Sequence, residues 1–171
     1  MLTIGILIFP DAEELDFVGP FEVLSFVNKV LPDSSRVLFI AETADPVRAY
    51  NGMRVLPDTT IVAGPQLDIL VVPGGQGRRQ AMKNPAILDF IKQQEPLASH
   101  ITSVCTGSFV LAEAGLLTGK KATTYHEYYD DLAAYNIEVV KNKVVPQGKI
   151  ITAGGVSSGI ELGFYLLREL F

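Results

Sequence analysis

Tryptophan is absent from this sequence, cysteine occurs once and histidine twice. A single cysteine excludes an intramolecular disulfide framework and any multi-cysteine metal site, and with two histidines beside it the residue supply argues against a metal centre. Aromatic residues make up only 9% of the chain, so the core must rest on Val, Ile, Leu and Ala. Basic residues are also scarce, 14 against 19 acidic, for a formal net charge of −5. That balance argues against nucleic acid as the main partner, because phosphate binding draws on clustered Lys and Arg. The one basic pair worth inspecting, Arg78-Arg79, reads as a solvated helix start rather than a phosphate site. No apolar run approaches the roughly 20 residues that cross a bilayer. The apolar stretch Met1–Phe9 is short and has neither a basic leader nor a small-residue cleavage site, so it reads as a buried strand and not a signal peptide. These absences lead to the expectation of a soluble, cytoplasmic protein with no nucleic acid and no membrane as partner.

What is present is 171 residues, 48% of them hydrophobic, enough for one compact domain with a substantial core. Short apolar runs alternate with helical patterns, the signature of a βαβ chain with a parallel sheet. Buried strands are expected at Leu2–Phe9, Arg36–Ala41, Leu67–Val72 and Ile101–Val104, with shorter ones at Ala122–Thr124, Val139–Val140, Val144–Val145 and Ile150–Ala153. Val47–Leu56 reads as a hairpin at the sheet edge, because Asn51-Gly52 separates two β-prone stretches. Helices are expected over Phe21–Val30, with Pro20 in the first helical position, from Pro85 to about Glu95, over Thr106–Ala114, Glu127–Ala134 and Val156–Leu170. No repeat, low-complexity segment or linker interrupts the pattern.

In open α/β sheets, sites form where loops leave the carboxyl ends of strands. That rule selects Asp11–Pro20, Pro73–Gly77 and Cys105. Cys105 lies in Ser103-Val104-Cys105-Thr106-Gly107-Ser108, between an apolar strand and an apolar helix. A turn there would display a nucleophile above the sheet, close to helix N–H groups that favour a thiolate. On spacing alone, a small buried hydrophobe explains the residue equally well. The backbone N–H groups of Gly74 and Gly75, with that of Thr106, could stabilise negative charge on a substrate atom, or the glycines could simply make a turn needing positive φ. Asp16, set among Leu, Phe and Val, is either a helix N-cap or a buried carboxyl whose raised pKa suits it to proton transfer beside a thiol. Glu13 and Glu14 read as solvated, and Glu22 as a further acidic candidate. His126, after Thr123-Thr124-Tyr125, is the residue type that would serve as base to a cysteine. His100, at the opposite end of its strand from Cys105, reads as structural.

Taken together, these segments resemble the ThiJ/PfpI family of the class I glutamine amidotransferase-like superfamily. The resemblance runs through Leu15-Asp16-Phe17-Val18-Gly19-Pro20, Val72-Pro73-Gly74-Gly75-Gln76-Gly77, the Cys105 turn, Ala112-Glu113-Ala114-Gly115-Leu116-Leu117-Thr118-Gly119 and Thr152-Ala153-Gly154-Gly155. It implies a flavodoxin-like three-layer α/β sandwich, a catalytic Cys105 acting on a small-molecule substrate, a homodimer, and no metal or organic cofactor. Within the family, the Asp-x-x-Gly-Pro segment and the Val-Cys-Thr-Gly-Ser turn look most like the isocyanide hydratases. That implies attack of Cys105 on an isocyanide, Asp16 as general acid/base, Thr106 and Gly75 positioning water or charge, and an N-substituted formamide as product. Glyoxalase, deglycase, amidase or peptidase chemistry and a non-catalytic redox or ligand sensor are the competing readings. The sequence departs from its relatives at Tyr125, where they carry His directly after Thr-Thr, so His126 is displaced by one position. It also ends at Phe171, earlier than the isocyanide hydratases, and a different substrate range is expected if their extension closes the pocket.

Overall fold

The computed structural model describes residues 1–171. The first half of the chain forms β1 (Leu2–Leu7), α1 (Glu14–Phe26), β2 (Ser35–Ala41), β3 (Val47–Arg48), β4 (Arg54–Val55), β5 (Thr59–Thr60) and β6 (Ile69–Val72). There follow α2 (Arg78–Ala81), α3 (Pro85–Gln94), β7 (His100–Val104), α4 (Gly107–Glu113) and β8 (Lys121–Ala122). The chain closes with α5 (Tyr129–Ala133), β9 (Glu138–Val139), β10 (Val144–Gln147), β11 (Ile150–Ala153) and α6 (Ser158–Leu170).

Seven strands form the central sheet in the order β10-β11-β7-β6-β1-β2-β5. Every neighbouring pair is parallel except β10 with β11. All four residues of β6 and of β11 are buried. Near-continuous apolar runs of this kind suit strands covered on both faces, which is why the parallel core forms from them. The helices supply the cover: α1 and α6 pack on each other, while α4 packs against α2, α3, β6 and β7. The result is the parallel α/β sheet that the sequence pattern predicts, in the flavodoxin-like form that the family resemblance implies.

Two helix starts show what local rules capture. Pro85 opens α3 as expected, with Asn84 accepting the Ala86 N–H at 3.0 Å as its N-cap. Pro20 does not open α1; it lies inside a helix that begins six residues earlier at Glu14. A proline there forfeits one backbone hydrogen bond and crowds the preceding turn. Tertiary packing outweighs that cost. Phe17 is 1% exposed, and burying such a side chain contributes roughly 1.5–3 kcal/mol. Gly159 and Gly163 of α6 let the two helices close up: a Cβ at Gly159 would come within 3.1 Å of the Pro20 ring, and one at Gly163 within 2.8 Å of Val23.

Other expectations need smaller corrections. The Asn51-Gly52 hairpin exists, with β3 and β4 antiparallel, but it is a separate two-stranded pair. The sheet edge is Thr59–Thr60, a pair too short to register as a pattern. Of the strand expected at Ala122–Thr124 only Ala122 is extended, as part of β8, which pairs with β9 outside the main sheet. Glu127–Ala134 divides into a 3₁₀ turn at His126–Tyr128 and the short α5.

Candidate active site

β1, β6 and β7 are adjacent, so the loops at their carboxyl ends converge on one edge of the sheet. The segment after β1 is bonded to the segment after β6 by Glu13 N–H donating to the Gly74 carbonyl (3.1 Å) and Gly77 N–H donating to that of Asp11 (2.9 Å). Between Val104 and α4, Cys105 takes φ +54°, a left-handed conformation that non-glycine residues avoid. Such a residue stores on the order of 1–3 kcal/mol and persists only where its surroundings impose it. Here they do. The Cys105 N–H is shared between the carbonyls of Ala153 (3.1 Å) and Gly154 (2.8 Å). Its own carbonyl accepts the hydroxyls of Thr124 (3.0 Å) and Ser108 (3.3 Å). Gly107 follows against the carbonyls of Val72 and Pro73, where any side chain would collide. The thiol is left above the sheet, 7% exposed.

Asp16 meets it from α1. The residue stands in the first turn of that helix, fully buried, and does not cap it. Its Oδ2 accepts the Gly74 N–H at 2.9 Å, while Oδ1 is sealed from solvent without a hydrogen-bond partner. The Gly75 N–H donates to Thr106 Oγ1 at 3.1 Å, with Gly75 itself at φ +100°. The amides expected to hold charge on a substrate are therefore engaged within the protein: Gly74 fixes the carboxyl and Gly75 fixes the Thr106 hydroxyl. Thr106 in turn faces the thiol, and both its N–H and its hydroxyl favour the thiolate.

Electrostatics here run opposite to the expectation drawn from the helix N-terminus. Burial, reinforced by the Asp16 charge, pushes the Cys105 thiol up to about 12, outweighing the Thr106 donors. Burial also raises the Asp16 carboxyl to about 7, against the lowering influence of the Gly74 N–H and the nearby thiol. That thiol contact is looser than a formed hydrogen bond, since Oδ1 remains unpaired. The resting pair thus holds a thiol beside a carboxyl that exchanges its proton near neutrality.

A cavity of about 220 Å³ opens over Cys105, lined among others by Glu13, Gly75, Arg78, Thr106, Tyr125 and Tyr128, with Asp16 buried behind it. Three of these escaped the sequence reading. Glu13 is partly buried, acts electrostatically on both Cys105 and Asp16, and is itself raised by burial. Arg78 is 8% exposed, not solvated, with its Cζ 4.5 Å from the Phe109 ring centroid and 4.7 Å from that of Tyr128; only Arg79 is exposed. Tyr128 carries no motif at all. Glu14, also read as solvated, accepts the Asn51 N–H (2.7 Å) and side-chain amide (2.8 Å), anchoring the hairpin turn near the cavity.

Three sequence candidates divide around the one-residue offset and the length of α1. Tyr125 reaches the cavity, its ring against Gly155. His126 lies against that ring, tilted by 57° with centroids 4.4 Å apart, but is exposed and lines no part of the cavity. Glu22 is exposed on α1, also outside it. His100 stands half-buried at the start of β7, the far end from Cys105. No three His, Cys, Asp or Glu side chains come together as a ligand set for a metal, and no helix is long and apolar enough to cross a membrane.

The DJ-1/PfpI family profile matches residues 3–169. The isonitrile hydratase of Pseudomonas putida is 42% identical over 169 residues, spanning 99% of this chain and 72% of its own. The glutathione-independent glyoxalase of Caenorhabditis elegans is 26% identical, over 94% of this chain and 83% of its own. Among solved structures, a ThiJ/PfpI family protein from Pseudomonas syringae superposes with a TM-score of 0.92 at 32% identity, covering 99% of this chain and 69% of that one.

Proposed function

The chain belongs to the DJ-1/PfpI family, and we propose that within it this protein is an enzyme that hydrates isocyanides to N-substituted formamides through Cys105. The observation that carries the reading is the buried pair of Cys105 and Asp16, a thiol beside a carboxyl that ionises at about 7. A catalytic acid/base is most effective when its pKa is close to the working pH. The 42% identity to an isonitrile hydratase supports the substrate class.

In this mechanism Asp16 takes the thiol proton as sulfur bonds to the terminal carbon of R–N≡C, and returns it to that carbon. The adduct is a thioimidate, R–N=CH–S. Water then adds across the C=N bond, its oxygen to carbon and one proton, relayed by Asp16, to nitrogen. Collapse of the tetrahedral adduct breaks the C–S bond, releases R–NH–CHO, and returns the remaining hydroxyl proton to the sulfur. The Thr106 N–H and hydroxyl stabilise sulfur while it carries charge. The strained elbow holds the nucleophile in place, so little reorganisation accompanies attack. The reading also takes the 171 residues as a single catalytic domain acting as a homodimer.

The test is formamide production from cyclohexyl isocyanide by wild type and Cys105→Ala. Turnover that disappears with the sulfur supports the proposal. No formamide from folded protein with a titratable reduced thiol overturns it, and methylglyoxal consumption by the same sample would assign the site to the glyoxalase chemistry of its C. elegans relative.

A further inference from the structure

Arg78 is a buried cation for which the mechanism has no use. It is 92% removed from solvent (8% exposed), yet no carboxylate lies within 4.0 Å of it; the ion pairs of the chain involve Lys92, Lys121, Lys143, Lys149 and Arg168. Phe109 and Tyr128 hold its Cζ at 4.5 and 4.7 Å from their ring centroids. Those rings stand at 82° to each other, so the guanidinium can lie face-on to only one of them, and N–H donors in its plane that do not point at the other ring stay available for hydrogen bonds. Of five such donors, one has a protein partner, the Met82 sulfur at 3.9 Å. The residue lines the cavity over Cys105. Burying an unpaired charge is costly unless something completes it.

The position of that charge separates binding from chemistry. Glu13 acts on both Cys105 and Asp16, and Glu127 on Tyr125, whereas Arg78 bears on neither reacting group and is felt at Tyr135. Arg78 stands against Tyr128 on the aromatic wall of a cavity that Cys105, Glu13 and Glu127 also line. With a volume of about 220 Å³, below the roughly 300–1,000 Å³ of sites for drug-sized ligands, one small molecule would span Arg78 and Cys105.

We propose that Arg78 is the specificity residue for a carboxylate at the end of the substrate remote from the reacting carbon. The planar fork would take the carboxylate edge-on while the isocyanide, on the reading above, reaches Cys105. The substrate class is then a short isocyano-carboxylate, and the product an N-formyl amino acid or its homologue.

The experiment compares isocyanoacetate with its methyl ester in wild type, Arg78→Met and Arg78→Lys, and measures binding of N-formylglycine and its methyl ester by calorimetry. Wild type is expected to favour the acid over the ester at least tenfold in kcat/KM. In Arg78→Met this ratio falls roughly 10- to 100-fold, the size of a lost charge-assisted contact, through KM more than kcat. Arg78→Lys, which keeps the charge without the fork, should recover part of it. Equal use of acid and ester by wild type, or a ratio unchanged in Arg78→Met, overturns the proposal; a merely structural arginine would depress both substrates together. If no isocyanide is turned over, Arg78-dependent binding of N-formylglycine in preference to its ester upholds the carboxylate site while the hydratase reading falls. Binding of neither, or of both alike, removes the site as well.

Discussion

Oδ2 of Asp16 accepts the N–H of Gly74 at 2.9 Å, a bond that joins the first turn of α1 to the loop after β6 across 58 residues of sequence. It aims the carboxyl at Cys105 and leaves Oδ1 unpaired beside the thiol. Asp16→Asn preserves the shape and an acceptor for Gly74 but cannot take a proton. Isocyanide hydration is expected to fall roughly 10²- to 10⁴-fold, the usual worth of a positioned acid/base. The Asp16 charge is one cause of the raised thiol pKa, so the same variant should show a lower thiol pKa in pH-dependent alkylation by iodoacetamide. A thiol that becomes easier to ionise in a dead enzyme would separate proton transfer from thiolate formation. An active Asp16→Asn enzyme would sink the assignment.

The same carboxyl makes stability depend on pH. Its pKa rises from 3.8 in the unfolded chain to about 7 in the fold because ionisation is penalised in the buried site. The native state then binds more protons than the unfolded state between those values. Stability from this group is fully present below about pH 4 and is lost as pH rises through 7, by on the order of 4 kcal/mol. Urea unfolding at pH 5 and pH 8 should show wild type weakening with pH and Asp16→Asn weakening much less. Parallel pH profiles for the two proteins would place the raised carboxyl elsewhere.

How far the sequence carries can be read from particular residues. The strands β1, β6, β7 and β11 are legible because a strand covered on both faces writes itself as an apolar run. The tight turn at Cys105 is legible because Val-Cys-Thr-Gly-Ser puts small residues where a strand-to-helix turn needs them, whereas a nucleophile and a buried hydrophobe read alike there until the family resemblance is added. The direction of the Cys105 pKa is not legible. The helix end next to it is visible locally, whereas the desolvation and the Asp16 charge that outweigh it come from segments brought together only by folding. Arg78 fails for the same reason: Phe109 and Tyr128, which bury it, lie 31 and 50 residues further along. Its one local signal is its place just after Gly74-Gly75-Gln76-Gly77, in the first turn of a helix leaving a site loop. The start of α1 is misplaced because Pro20 obeys a local rule that the close approach of α6 overrides.

Gly74 is required by space as well as by its N–H. A Cβ there would fall 2.5 Å from both the N and Oγ1 of Thr106 and 2.8 Å from the Gly107 N. Two of those atoms are backbone of the elbow, so Gly74→Ala must displace it. The expected cost is about 1–3 kcal/mol of stability, typical of overpacking, with a larger proportional loss of activity because the displacement falls on the nucleophile. Thermal unfolding and turnover measured together check this. An Ala variant with unchanged activity would show that the two loops can part without moving Cys105.

His126 gives the complementary case. It follows the Thr-Thr pair one residue late, and the 3₁₀ turn at His126–Tyr128 carries it to the exposed side while Tyr125 faces the cavity. His126→Ala should leave kcat/KM for an isocyanide within roughly twofold, consistent with an exposed substitution away from the site. A hundredfold loss would mean that the turn swings the imidazole inward during turnover, giving Cys105 a second base.

Thr106 is where the elbow and the glycine loop meet, because its Oγ1 accepts the Gly75 N–H while its own hydroxyl favours the thiolate. Thr106→Val is nearly isosteric but removes both interactions. The Gly75 N–H would lose its partner, at about 1–3 kcal/mol if it stays dry, and the Cys105 thiol should become harder to ionise still. Thr106→Ser retains the hydroxyl and is expected to restore both. The decisive measurement is therefore the pair: alkylation slowed at a given pH and turnover depressed in the Val variant, both recovered in the Ser variant. Were Val to behave like Ser in both, the hydroxyl would be a packing group, and stabilisation of the sulfur would rest on the Thr106 N–H alone.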